Sequence, residues 1–174
     1  MSIHFNEMKD VASQYLDALL KEPLNTGNSL ATFERILATN FIFSSIVTTN
    51  SNDEVINNNE GGKAHFINEI KKMHFENVRA IVSRKPEEYS LGEGLNQIIC
   101  KVESVQLRWG NGLNEVNGAG NYKLTATVVM TFISENHEVK ILKLEQTAYN
   151  KEFIPNAPNL SKAKFIISEG FAVR

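Results

Sequence analysis

The sequence predicts one α+β domain, in which N-terminal helices pack into a strongly curved antiparallel sheet to give a cone. Three observations lead there. Apolar residues recur mostly at spacings of three and four up to Phe75 and at spacings of two after it. Helices followed by a run of strands is the order of a domain whose helices cover one sheet face. With 174 residues, 42% of them apolar, the chain can bury one sizeable core, whereas two domains would each be undersized, so the domain is read as 1–174.

The first helix is expected over 6–21, where Met8, Val11, Ala12, Tyr15, Leu16, Leu19 and Leu20 draw one stripe before Pro23 and Gly27 end it. A second, short helix starts at Ser29 with Leu30, Phe33, Ile36 and Leu37 in register, and it feeds into a β-prone run over 41–49. Residues 50–62 are Asn, Ser, Asp, Glu and Gly with only Val55 and Ile56 as apolar relief, so they read as a loop. A third helix follows over 63–73, with Phe66, Ile67, Ile70 and Met73 on one face. Five stretches rich in Val, Ile, Thr, Tyr and Phe then read as strands: 77–84, 95–109, 121–134, 139–152 and 163–173. Ile98, Cys100 and Val102 alternate with Lys101 and Glu103. Leu124, Ala126, Val128, Met130 and Phe132 alternate with Lys123, Thr125, Thr127 and Thr131, and Leu142, Leu144 and Ala148 with Lys143, Glu145, Thr147 and Tyr149. Each of these strands therefore has a core face and a polar face.

Charge and cysteine content narrow the function. Eighteen basic and twenty acidic residues give a net charge of -2, which lacks the basic footprint of a nucleic-acid binder. The lone Cys100 excludes an intramolecular disulfide and a cysteine zinc cluster, no N-terminal apolar run is long enough for a leader or membrane span, and a reducing compartment is expected. Gly92, Gly94, Gly110 and Gly112 sit between strands rather than opening a helix, so they do not form a phosphate loop, and no cofactor or metal is expected.

The segment Gly62, Phe66, Ile70, Met73, Phe75, Val78 resembles the exit of the third helix in the nuclear transport factor 2-like family, although Met73-His74-Phe75 stands where members often carry Leu-Pro-Phe. Residues 144–149, Leu-Glu-Gln-Thr-Ala-Tyr, are similar to its penultimate strand, and 165–174, ending Gly-Phe-Ala-Val-Arg, to its last. The piece 85–90 and that ending are similar to the fungal mRNA export receptor subunits. The resemblance implies the cone fold, a same-fold protein partner in a heterodimer or homodimer that pairs through the sheet faces, contact with phenylalanine-glycine nucleoporin repeats, and a life in nucleus and cytoplasm at the nuclear pores.

The chemistry agrees with a non-enzymatic, protein-binding domain, because interior acids and bases are scarce. Asp10 and Asp17 fall on the polar side or edge of the first helix and Asp53 in a loop, while His65 and His74 read as surface or boundary residues. Cys100 reads as a small core residue. The expected partner surface is the outer sheet face, carrying Lys123, Thr125, Thr127, Lys143, Glu145, Thr147 and Tyr149, with Trp109 as a further contact or loop anchor. The alternative is a SnoaL-like small-molecule-binding or lyase/isomerase-type cone enzyme with a pocket mouth at His65, His74, Tyr15 or Tyr122, since the same fold hosts both kinds of protein.

Overall fold

The computed structural model describes residues 2–20, 27–49, 55–110 and 120–152. Three helices, α1 (Phe5–Leu20), α2 (Gly27–Ile36) and α3 (Lys63–Glu76), line one face of a seven-stranded sheet. The strands are β1 (Leu37–Thr49), β2 (Val55–Gly62), β3 (Asn77–Arg84), β4 (Glu88–Leu91), β5 (Gln97–Gly110), β6 (Gly120–Glu135) and β7 (Glu138–Glu152).

The stripe expected on the first helix is its buried face: Met8, Val11, Ala12, Tyr15, Leu16 and Leu20 all enter the core. Its first turn is closed by the Glu7 carboxylate, which reaches back to accept from the His4 N–H at 3.1 Å, half of a capping box. At the end of α2 the Lys63 ammonium donates to the carbonyls of Glu34 at 2.7 Å and Leu37 at 2.9 Å, which satisfies acceptors a helix terminus leaves open. One lysine thus fixes the start of α3 against the junction of α2 and β1.

The sheet order is β2-β1-β7-β6-β5-β3, with β4 and β3 sharing the far edge of β5 in succession. All pairings are antiparallel except β1 with β7, which run parallel because the chain leaves β1 and returns to it only after the other described strands, β2 to β6, are laid down. The expected antiparallel sheet is therefore mixed at one seam.

Two strands were not legible as such. Residues 55–62, read as loop, pair with β1 from Ile42 opposite Gly62 to Thr48 opposite Val55. Main-chain hydrogen bonds need no apolar side chains, and a strand polar on both faces suits an edge. Likewise Glu88–Leu91 pairs with Ile98 to Lys101. A third departure is local: Lys143 faces Thr131 but Ile141 faces Phe132, so Leu142 is the extra residue of a bulge. Ile141 is then fully buried in place of the expected Leu142. The strand expected over 163–173 lies outside the described residues.

The core is built around rings. Phe66 of α3 stands edge-on to Phe33, Phe41 and Phe43 at centroid distances of 5.3, 5.6 and 5.3 Å, and it is tilted against Tyr15 at 6.1 Å. Helix α3 is thereby anchored to both other helices and to the sheet, as the third-helix stripe predicted.

Candidate functional site: the two faces of the sheet

Residues opposite each other in a ladder project to the same side, so the ladders sort side chains into rows. The inner rows begin with Phe43, Leu144, Met130 and Ile98, all large and apolar. The next row is Ser45, Gln146, Val128, Cys100 and Tyr89, and the one after it Val47, Ala148, Ala126 and Val102. Ser104, also buried, follows along β5 and lies opposite Arg84. The interior therefore grades from bulky apolar side chains to small and polar ones. Gln146 spans the β1–β7 seam by donating its amide to the Ser45 hydroxyl at 3.1 Å. Sequence reasoning passed over Gln146, although it shares the parity of Leu144 and Ala148.

Beside this row, under α1, lies a charged cluster that no local pattern announces. Arg84 bonds the Glu87 carboxylate through Nε and the Asp17 carboxylate through Nη2 at 3.0 Å. Asp17, placed by helical register on the polar edge, is thus an ion-pair partner. Glu87 is held close to the sheet, its side chain 11% exposed. Tyr89 sits next to it with Lys9 Nζ 5.4 Å from its ring, and its hydroxyl is buried with Ser13 as its polar neighbour. Burial pushes the Tyr89 phenol up to about 12, helped by the Glu87 and Cys100 charges, while Ser13 and Arg84 pull weakly the other way. Burial, with Glu87 second, does the same to the Cys100 thiol, also about 12. Cys100 is therefore a neutral core residue as expected, and Tyr89 is a neutral hydrogen-bond donor across the physiological range.

The outer rows are Glu88, Lys101, Thr127, Thr147 and Ile46, then Glu103, Thr125, Tyr149 and Thr48. Lys143 and Glu145 continue β7 on this face, paired at 3.1 Å. Apart from Leu142, the alternation read on β6 and β7 is thus the real one. Twist makes this face concave around Thr125, Thr127, Thr147 and Tyr149, where an open cavity of ≈ 460 Å³ is walled by Lys85 and Glu88. Glu103 at its edge accepts from Lys85 at 3.1 Å and from Lys123 at 3.0 Å, and the Lys123 and Lys85 bonds hold its carboxyl below the usual range.

Of the pocket-mouth residues read from the sequence, the structure describes the side chains of Tyr15 and His65. Tyr15 is 2% exposed inside the ring cluster. His65 is exposed, stacks on Phe43 at 5.8 Å and shares a 2.9 Å hydrogen bond with Asn59 Oδ1. Trp109 lies on β5 opposite Val78; its side chain, with those of His74, Phe75 and Tyr122, falls outside the described residues, as does Asp53. Among the described residues no group of three or more His, Cys, Asp or Glu is placed to hold a metal ion, and no helix is long and apolar enough to cross a membrane.

No protein-family model and no curated protein matches the chain. Solved structures do. A Bacillus subtilis protein provisionally named an isomerase is 13% identical, with a TM-score of 0.54 over 98% of this chain and 96% of its own. Hexachlorocyclohexane dehydrochlorinase LinA-type3 from Novosphingobium barchaimii is 14% identical, with a TM-score of 0.50 over 87% and 91%. A Xanthomonas campestris protein provisionally named a polyketide cyclase is 10% identical, with a TM-score of 0.50 over 82% and 90%. The fold is the nuclear transport factor 2-like cone, as the sequence implied. Two expectations drawn from the finer resemblance are corrected. The three proteins just described are bacterial and carry the names of enzymes, which overturns the expectation of a non-enzyme and that of a place in the nucleus and at its pores.

Proposed function

We propose that this chain is a small-molecule-binding cone of the lyase or isomerase kind, with its ligand on the inner face of the sheet. The observation that supports this is the graded interior. Ser45, Gln146 and Ser104 stand among small neighbours, Ala126 and Ala148, beyond the close-packed rings, so polar groups and narrow side chains coincide where a packed core would carry neither. The counterparts named for dehydrochlorination, isomerisation and cyclisation agree with that reading. In such chemistry Glu87 is the candidate proton acceptor, oriented by Arg84, and the buried Tyr89 hydroxyl the candidate donor to a developing oxyanion. The transport-adaptor reading is not adopted. Its motif over 144–149 includes Leu144 and Ala148, which any sheet of this shape needs as core, and its motif over 165–174 lies outside the described residues.

The test is thermal denaturation with a panel of cyclic ketones and halogenated cyclohexanes. A ligand at one hundred times its dissociation constant stabilises the folded state by about 2.7 kcal/mol. Stabilisation of the native chain that is weakened in Gln146→Leu and Ser45→Val supports the proposal. No stabilisation by any compound, or an equal response of all three proteins, overturns it.

A further inference from the structure

We propose that the concavity on the outer sheet face is a second ligand site, for a neutral polyhydroxylated molecule of the saccharide class. Its ≈ 460 Å³ lies within the roughly 300–1,000 Å³ of small-ligand sites. Ala126 and Ala148 back its floor, but none of the polar groups assigned to the interior, Ser45, Gln146, Glu87 and Tyr89, lines it, so the two readings are tested through different residues.

The lining decides the chemistry. Two ammonium groups, Lys85 and Lys101, face two carboxylates, Glu88 and Glu103, so the cavity has no net sign and favours neither an anion nor a cation. These charges are not equally engaged. Glu103 is held by Lys85 and Lys123, whereas Lys101 and Glu88, opposite each other across β4 and β5, are in no ion pair among the described residues. Lysine offers only donors and an ionised glutamate only acceptors, while a threonine hydroxyl offers both. A ligand hydroxyl also needs both, so an array of one uncommitted donor, one uncommitted acceptor and the hydroxyls of Thr127 and Thr147 answers a molecule that presents several hydroxyls in a row. Thr127 and Thr147 are directly opposed on β6 and β7, continuing the row from Lys101. Tyr149, opposed to Thr125 in the next row, supplies an aromatic wall for the C–H side of a ring. An apolar ligand would leave these polar groups unpaired, and that cost excludes it.

The experiment is ligand-observed saturation-transfer NMR on the full chain with maltose, cellobiose and lactose, beside methyl phosphate and glycine as charged probes. The expected result is transfer to at least one disaccharide and to neither charged probe. Tyr149→Ala is expected to weaken binding about tenfold, the loss of roughly 1.4 kcal/mol of ring contact. Thr127→Val keeps the shape, removes one hydroxyl and should also weaken binding, whereas Glu138→Gln on the distant hairpin should leave it unchanged. Binding of methyl phosphate or glycine without a disaccharide overturns the proposal, as does disaccharide binding indifferent to both Tyr149→Ala and Thr127→Val. Sedimentation showing a dimer that Tyr149→Ala dissolves also overturns it, because the face is then covered by a second copy of the chain.

Discussion

Replacing Phe66 by alanine is the most exacting test of the core. The ring is 7% exposed and touches four others, from both α1 and α2 and from β1, at 5.3 to 6.1 Å. Truncating a buried Phe costs about 3–5 kcal/mol through lost transfer energy and the cavity left behind. The upper half of that range applies here, because the walls are rings fixed by one another and collapse poorly. Aromatic pairs add about 0.5–1.5 kcal/mol each in isolation, but four pairs sharing one ring do not sum. For a chain of this size each kcal/mol lowers the melting temperature by about 2–4 °C, so a loss of roughly 8 to 20 °C is expected. Scanning calorimetry and urea unfolding measure it, the latter through a lower midpoint at unchanged slope. A shift of one or two degrees would place Phe66 outside the core and refute the account of α3 as the anchor between helices and sheet.

Cys100, fully buried with its thiol raised to about 12, should resist alkylation at pH 8 until the chain unfolds; rapid labelling of the folded protein would contradict its place on the inner row. The phenol of Tyr89 is raised from 10.0 to about 12, so its stabilising effect is complete below pH 10 and disappears between about pH 10 and 12. Tyr89→Phe should therefore flatten the alkaline fall in stability, and an unchanged fall would show that the hydroxyl ionises freely. Arg84→Ala leaves Glu87 without its partner and should cost about 1–3 kcal/mol in urea unfolding, recovered in part by Glu87→Gln; strict additivity of the two changes would show no coupling. Glu103, held low by Lys123 and Lys85, contributes stability above the ordinary glutamate range that is lost as pH falls through its folded value, and Glu103→Gln should remove that acid-side dependence.

What could be read in the residues follows from how far apart the cause and its effect lie. Helix α3 is legible because Phe66, Ile67 and Ile70 repeat within one turn, and the face of β6 is legible because Ala126, Val128 and Met130 alternate within a few positions. On β7 the reading fails at Leu142, since a bulge is set by the strand opposite and not by the strand that carries it. Strand β2 was missed because pairing through the main chain leaves no apolar signature, and β4 because four residues are too few to show a period. The outer face emerged from alternation alone, whereas its concavity, made by twist and by the segment carrying Lys85, did not. The Arg84 cluster was hidden for a plainer reason: Asp17 and Glu87 meet only after the helix is laid against the sheet.

The parallel seam between β1 and β7 also governs when the protein can become itself. From Leu37 beside Ile141 to Thr49 beside Asn150, the first strand made is the neighbour of the last of the described strands. During synthesis the helices and the β1–β2 hairpin emerge early with one side of β1 unsatisfied, and that side waits for about a hundred residues of chain. Closing so long a loop slows folding, and an open strand edge beside the exposed rings of Phe41 and Phe43 is a surface on which nascent chains aggregate. A slow step that closes this seam is thus expected of the topology.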